Sequence, residues 1–458
     1  MRAASPEGSV RTALFGRDRR ATTVGVVLLI CLVAFESMGV GTAMPAVVAE
    51  LGTVALYAWP FVAFLAAAVV GTVLGGRRCD VTGPRGALVV APVLFGAGLL
   101  VAGTATSMTQ LLVGRVLQGL GSGGQSVAIY VLVAVVYPAR VRPAVFGLIS
   151  SAWVLPSLVG QPLAALVTEH LSWRWVFLGL LPLVLVAVAL VLPAVRGLGP
   201  PDPDRVAPVP RCGLVAAAAG AAAGVVALSW AGQNVGVVGA AVAVVAVGLL
   251  VPALRRLLPA GVFRARRGAA TVVACRGLLT GTFFTVNSYL PLMLTSTHRW
   301  SLAAAGTPLL VGSLGWSAAS AWQGRHPDLS RTVLLRVGFC GVTFGTGGLL
   351  LVTPSWGISW LALPLWAVAG LGMGLAFSSV SSLLLGQAGA GEVGFASSAA
   401  QMADQLGTAT MVGAGGTLLA LLAPPAVALT LLVGVLALLA GLGTVIAGRS
   451  TPAAVAGS

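Results

Sequence analysis

The stretch Gly114–Ser126, "GRVLQGLGSGGQS", decides the fold because it admits two incompatible readings. Gly119, Gly121 and Gly124 formally satisfy G-x-G-x-x-G, the turn that cradles a dinucleotide, but that turn needs a strand before it and a βαβ unit around it. Here the glycines lie inside a mostly apolar run, 108–136, of about 29 residues. A helix rises 1.5 Å per residue, so such a run crosses a hydrocarbon core about 30 Å thick. The stretch therefore reads as part of a membrane span. Gly119, Gly121, Gly123 and Gly124 become small residues that let a neighbouring helix approach, with Gly119 and Gly123 forming G-x-x-x-G. Arg115 becomes the anomaly.

The rest of the chain agrees with that reading. Of 458 residues, 58% are hydrophobic and only 8% charged, against roughly 25% charged in an ordinary soluble domain. Fourteen segments are long and apolar enough to span. Six of them, 24–47, 54–76, 86–105, 108–136, 143–169 and 172–194, make an N-terminal six-helix bundle (24–194). Two more, 211–230 and 234–257, lie in a segment 211–258. The last six, 267–294, 302–321, 331–352, 357–386, 393–422 and 425–448, make a C-terminal bundle (259–448). A basic tail, 1–23, precedes them, a proline-rich linker, 195–210, separates the first bundle from the extra pair, and a tail, 449–458, closes the chain. The first apolar run is too long for the h-region of a secretory signal, so it reads as a retained span.

The net charge of +15 is not a nucleic-acid signal. All 26 basic residues are arginine. With the amino terminus inside, all but four of them fall in cytoplasmic segments; the exceptions are Arg174 and Arg299 outside, and Arg115 and Arg276 within spans. That asymmetry places both termini in the cytoplasm of a cell-membrane protein. Arg276, about two turns into its helix, is expected to snorkel to the inner surface. The five cysteines form no C-x-x-C pair, and His170, His298 and His326 are separate and expected in loops, so neither a disulfide framework nor a metal site is expected.

An internal repeat follows. "GRRCDVTGPR", Gly76–Arg85, and "GRHPDLSRT", Gly324–Thr332, align at Gly, Arg and Asp80/Asp328, an offset of 248 residues. Gly119-Leu-Gly121-Ser-Gly123 aligns with Gly370-Leu-Gly372-Met-Gly374 at an offset of 251. Two matches that agree so closely make the seventh and eighth spans an insertion between two halves; the alternative is chance similarity among glycine-rich apolar helices.

Gly76, Asp80, Gly83 and Arg85 fit G-x-x-x-D-x-x-G-x-R, which resembles the signature loop between the second and third helices of the major facilitator superfamily. "RVLQGLGSG", Arg115–Gly123, resembles that superfamily's R-x-x-Q-G-x-G motif. "FESMGVGTAMPAVVAELG", Phe35–Gly52, resembles the first-helix motif of its drug:proton antiporters, and "LSWRWVFLGLLP", Leu171–Pro182, resembles the entry to the sixth helix of the fourteen-helix group. The antiporter pattern of the fifth helix is reduced to "SAWVLPSLVGQP", which keeps Pro156 and a displaced Gly160 as packing residues. The resemblance implies the major-facilitator fold, an all-α membrane protein of two six-helix bundles plus two inserted helices. It also implies a conformational gate at Gly76, Asp80, Gly83, Arg85 and Asp328, with Asp80 pairing with arginine and facing a helix amino terminus.

Only two of the eleven acidic residues lie deep in spans, Glu36 and Asp404. A charge at mid-membrane costs on the order of 3 kcal/mol or more, so Arg115 needs a partner or a watery cavity. Glu36 is expected to carry a coupling proton or to meet a cationic substrate, with Arg115 tuning it and Gln118 lending hydrogen bonds; a purely structural ion pair is the alternative. Asp404, beside Gln401 and Gln405, is assigned to substrate, to a second proton, or to an interhelical hydrogen bond. Gln118, Gln125, Tyr130, Trp153, Gln161, Asn287, Gln401 and Gln405 are candidates for a substrate cavity. A membrane enzyme or scramblase is the rival class, but no nucleophile–base–orienter set and no H-E-x-x-H or G-x-S-x-G occurs to support it. The preferred reading is a proton-coupled secondary transporter working by alternating access. It is expected to act as a monomer, with the proton as coupling ion and no other cofactor, and to export amphiphilic drugs or metabolites; a lipid or other native substrate is the alternative.

Overall fold

The computed structural model describes residues 15, 16, 19–137, 141, 145, 148, 149, 152, 155–196, 213–326, 328–387 and 393–451. Among these, the regular elements are helices, without strands. A backbone surrounded by lipid must satisfy its own N–H and C=O groups, which a helix does within one segment. In chain order they are α1 (Arg20–Leu51), α2 (Trp59–Thr82), α3 (Pro84–Gly103), α4 (Met108–Val136), α5 (Gln161–His170), α6 (Arg174–Leu178) and α7 (Leu181–Arg196). Then come α8 (Leu214–Gln233), α9 (Val237–Leu257), α10 (Ala269–His298), α11 (Leu302–Gly324), α12 (Arg331–Gly348), α13 (Ala362–Gln387), α14 (Val393–Leu421) and α15 (Pro425–Ile446).

Twelve helices among the described residues are long and apolar enough to cross a membrane, which makes this a multi-pass membrane protein. Two of the fourteen expected spans are not among the twelve. Much of 143–155 lies outside the described residues. The segment 393–422 does form one helix of 29 residues, α14, but Gln401, Asp404, Gln405 and five glycines dilute its apolar character. The helix carrying the opening motif runs Met108–Val136, and Ser107 caps it by accepting a hydrogen bond from the Gln110 backbone N–H at 3.3 Å.

The chain forms two compact units, one of residues 1–40 and 67–215, the other of residues 41–66 and 216–458. In the first unit the α4 glycines sit against backbone. A Cβ on Gly121 would lie 2.5 Å from the Ala91 carbonyl oxygen of α3, and one on Gly123 would lie 2.2 Å from the Ala68 carbonyl oxygen of α2. The second unit repeats the pattern. A Cβ on Gly372 would meet the Gly338 carbonyl of α12 at 2.5 Å, and one on Gly374 would meet the Trp316 carbonyl of α11 at 2.4 Å. In each triplet the middle glycine admits the helix immediately before and the third glycine admits the helix before that. The sequence repeat is thus also a repeat of packing, which chance similarity does not explain.

In the second unit, residues 41–66 bring the end of α1 and the start of α2. Tyr57 donates from Oη to the Ser288 carbonyl at 2.6 Å and its ring lies 5.3 Å from that of Tyr289. Trp59 donates from its indole to Gln233 Oε1 at 2.9 Å.

The stretch 76–85, read from sequence as a loop, is mostly helix. The helix α2 continues to Thr82, and Gly83 alone breaks it before Pro84 opens α3. Gly83 has φ 75° and ψ 175°, a region reserved in practice for glycine. Gly83→Ala should therefore lower stability by about 1–3 kcal/mol in a thermal melt of the purified protein. Gly76→Ala should be neutral or slightly stabilising, because Gly76 is helical and an added methyl would meet only Val127 Cγ1, at 3.7 Å. Equal losses from both would contradict this geometry.

Candidate functional site

The first unit buries an ion pair. Glu36 lies on α1 and Arg115 on α4, with side chains 0% and 2% exposed, and Arg115 Nη1 donates to Glu36 Oε1. Arg115 and Gln118 are three residues apart, hence on one face of the helix. The same Nη1 donates to Gln118 Oε1, so one guanidinium nitrogen ties the carboxylate to the amide. Glu36 Oε2 has no hydrogen-bond partner among the described residues, and neither has Gln118 Nε2. Unpaired buried polar atoms of this kind cost about 1–3 kcal/mol each, which a proton, a water or a substrate group would offset.

The other candidates of this unit divide. Gln161, fully buried at the start of α5, points Nε2 at Met38 Sδ, 3.8 Å away, and leaves Oε1 without a partner among the described residues. Gln125 donates to the Leu29 carbonyl of α1 at 3.0 Å and likewise leaves Oε1 unpartnered. Gly160 ends a π-helical turn, Pro156–Gly160, and an added Cβ there would sit 3.3 Å from the Phe35 ring, next to Glu36 in sequence. Turns of this type recur at functional sites. Tyr130 is half-exposed on α4, and Trp153 lies outside the described residues. Asp80 is half-buried while Arg85 and Asp328 are exposed.

The second unit holds an ion pair that sequence reasoning missed. Arg276 of α10 does not snorkel. It donates from Nε to both oxygens of Asp404 on α14, at 2.8 and 2.9 Å, and from Nη1 to Ser381 Oγ of α13 at 3.0 Å. Thr280, one turn along α10, donates to Asp404 Oδ1 at 3.0 Å. The two side chains are 14% and 22% exposed, so this pair is open where the Glu36 pair is sealed. The signal was present in the sequence: each half has one acid and one arginine within its spans. Asn287, buried, accepts from the Trp366 indole at 3.4 Å, and Gln401 and Gln405 are half-buried beside Asp404. Gln323, also unanticipated, is buried at the end of α11 with its amide 2.9 Å from Ser379 Oγ.

The histidines also shift from the sequence reading, since His170 ends α5 and His298 ends α10, with His298 Nε2 2.6 Å from the Val352 carbonyl. Arg174 is held by its own neighbourhood, donating to the Ala105 carbonyl at 3.0 Å and lying over the Trp173 ring.

A helical protein with many membrane-crossing helices, a buried, partly unsatisfied ion pair and a repeated glycine packing code belongs to the class of multi-pass membrane proteins built from repeated helical halves. More narrowly, residues 26–412 match the Major Facilitator Superfamily, and the chain belongs to that family. It is similar to the acurin A biosynthesis cluster MFS-type transporter of Aspergillus aculeatus, 29% identical over 44% of this chain and 37% of that protein. It is also similar to multidrug resistance protein 3 of Bacillus subtilis, 24% identical over 78% of this chain and 70% of that protein. The chain thus spans well under half of the Aspergillus relative and most of the Bacillus one. A D-xylose-proton symporter of known structure shares the fold, with a TM-score of 0.69, 16% identity, and coverage of 94% of this chain and 98% of that one.

Proposed function

We propose that the chain is a proton-coupled secondary transporter that exports amphiphilic small molecules by alternating access, as an antiporter with fourteen spans and both termini in the cytoplasm. The observation that carries this reading is Glu36, a carboxyl group sealed from solvent, held by Arg115 through one oxygen only and unpartnered at the other. A carboxyl so placed is neutral or ion-paired according to whether it holds a proton, and its partner on another helix registers the change. Glu36 is the coupling site in this reading, Arg115 tunes it, and Gln118 and Gln161 supply polar contacts from the adjoining α4 and α5. Gly83 and Asp80 serve as the hinge and anchor of a gate, and Asp328 marks its counterpart in the second half. The relative named a multidrug resistance protein supports the export of drug-like molecules, and the named biosynthesis-cluster transporter keeps a native metabolite as the alternative substrate.

The test is transport in everted membrane vesicles energised by respiration, with amphiphilic aromatic dyes of either charge, cationic and carboxylate-bearing, as reporters. Uptake should depend on the protein and collapse on addition of nigericin, which dissipates the pH gradient. Accumulation that persists with the pH gradient abolished would refute proton coupling.

A further inference from the structure

Arg276 has donor capacity that Asp404 does not use. A guanidinium carries five N–H donors. Its Nε–H is shared by the two carboxylate oxygens and Nη1 serves Ser381, while Nη2 meets no acceptor among the described residues. The carboxylate, by contrast, is engaged at both oxygens, by Arg276 twice and by Thr280 once. The open end of this ion pair is therefore its cationic end.

An aromatic wall adjoins it. The guanidinium carbon lies 3.6 Å from the centre of the Phe377 ring. Phe377 is 5.3 Å from Trp316, and Trp316 is 6.0 Å from Phe284. These three rings come from α13, α11 and α10, and all three are partly exposed, as Arg276 and Asp404 are. Ionisable side chains within membrane spans face the bundle interior or a water-filled cavity, not lipid. A partly exposed aromatic face thus ends in a guanidinium with an unfilled edge.

We infer that this face is the substrate site of the second unit, and that it selects aromatic molecules bearing a carboxylate. The planar fork of an arginine matches a carboxylate in two parallel hydrogen bonds, which a point-charge lysine does not reproduce. The substrate acid occupies the Nη edge of Arg276, and its rings lie on Phe377, Trp316 and Phe284. A cationic substrate finds no equivalent, because both Asp404 oxygens are already held. The inference rests on the transporter reading above and names its substrate class; it does not depend on the proton step at Glu36.

The experiment is equilibrium binding to the full-length purified protein in detergent, with no gradient, using 2-naphthoate and its neutral and cationic analogues 2-naphthamide and 2-naphthylmethylammonium. Naphthoate should bind saturably and about tenfold or more tightly than either analogue, the discrimination expected of a charge-assisted hydrogen-bond pair. Arg276→Lys should narrow that preference. Because Arg276→Gln alone strands an acid in the membrane, the double variant Arg276→Gln/Asp404→Asn keeps the site neutral; it should bind all three probes alike. Trp316→Leu should weaken all three together. Absence of saturable naphthoate binding, a preference for the cation, or an anion preference that survives the double variant would overturn the inference. Naphthoate selectivity with transport that ignores the pH gradient would leave this site standing and remove the coupling mechanism instead.

Discussion

Arg115→Met alone should cost about 3–5 kcal/mol of stability, the penalty for leaving a buried charge without its partner. Glu36 would be the stranded group, with its side chain wholly buried. Adding Glu36→Gln should recover most of that loss, since exchanging both members of a buried pair for neutral groups of similar volume is often close to neutral. The readout is the thermal midpoint of the detergent-purified protein for the two single variants and the double. A coupling energy near zero in that cycle would mean that Glu36 and Arg115 do not depend on one another. Stability restored without gradient-driven transport would separate the pair's structural role from its role in the cycle, because the double variant keeps the packing and lacks the exchangeable carboxyl.

The second large effect concerns the repeated glycines. Gly123→Ala places a methyl where a Cβ would sit 2.2 Å from the Ala68 carbonyl oxygen, and at its counterpart Gly374→Ala places one 2.4 Å from the Trp316 carbonyl oxygen. Both obstacles are backbone, so whole helices must separate. Each variant should lose about 1–3 kcal/mol or more, the usual cost of overpacking, and the two losses should be similar because the two halves use the same packing code. Gly248→Ala is the control, since nothing lies within 4 Å of a Cβ there. Thermal melts that rank Gly248→Ala with the other two would contradict the close-approach reading.

Much of this was legible in the sequence. The span 108–136 coincides with α4 because a mostly apolar run of that length stays helical across it and Ser107 caps its start. The pairing of Glu36 with Arg115 followed from the scarcity of charge: a buried arginine needs an acid, and the first half has one deep acid to offer. The same reasoning, applied half by half, reaches Arg276 and Asp404, 128 residues apart. It was obscured because Arg276 lies near enough to its helix end for snorkelling to look sufficient. The aromatic wall was not legible. Its rings come from three helices, and an apolar period says which residues are buried without saying how each helix is rotated against its neighbours. The loop at 76–85 was misjudged for a local reason: Gly76 looks like a breaker, yet only Gly83, with its positive φ, needs to be glycine.

The central claim is that Glu36 exchanges the coupling proton, and substrate-driven proton movement tests it most directly. Proteoliposomes loaded with pyranine report internal pH while a transported amphiphilic reporter is driven across by its own concentration gradient. With wild-type protein the internal pH should rise as the reporter enters, because protons leave in exchange. With Glu36→Gln it should stay flat while binding of the reporter persists. Proton movement of wild-type size in the Glu36→Gln protein would contradict the account.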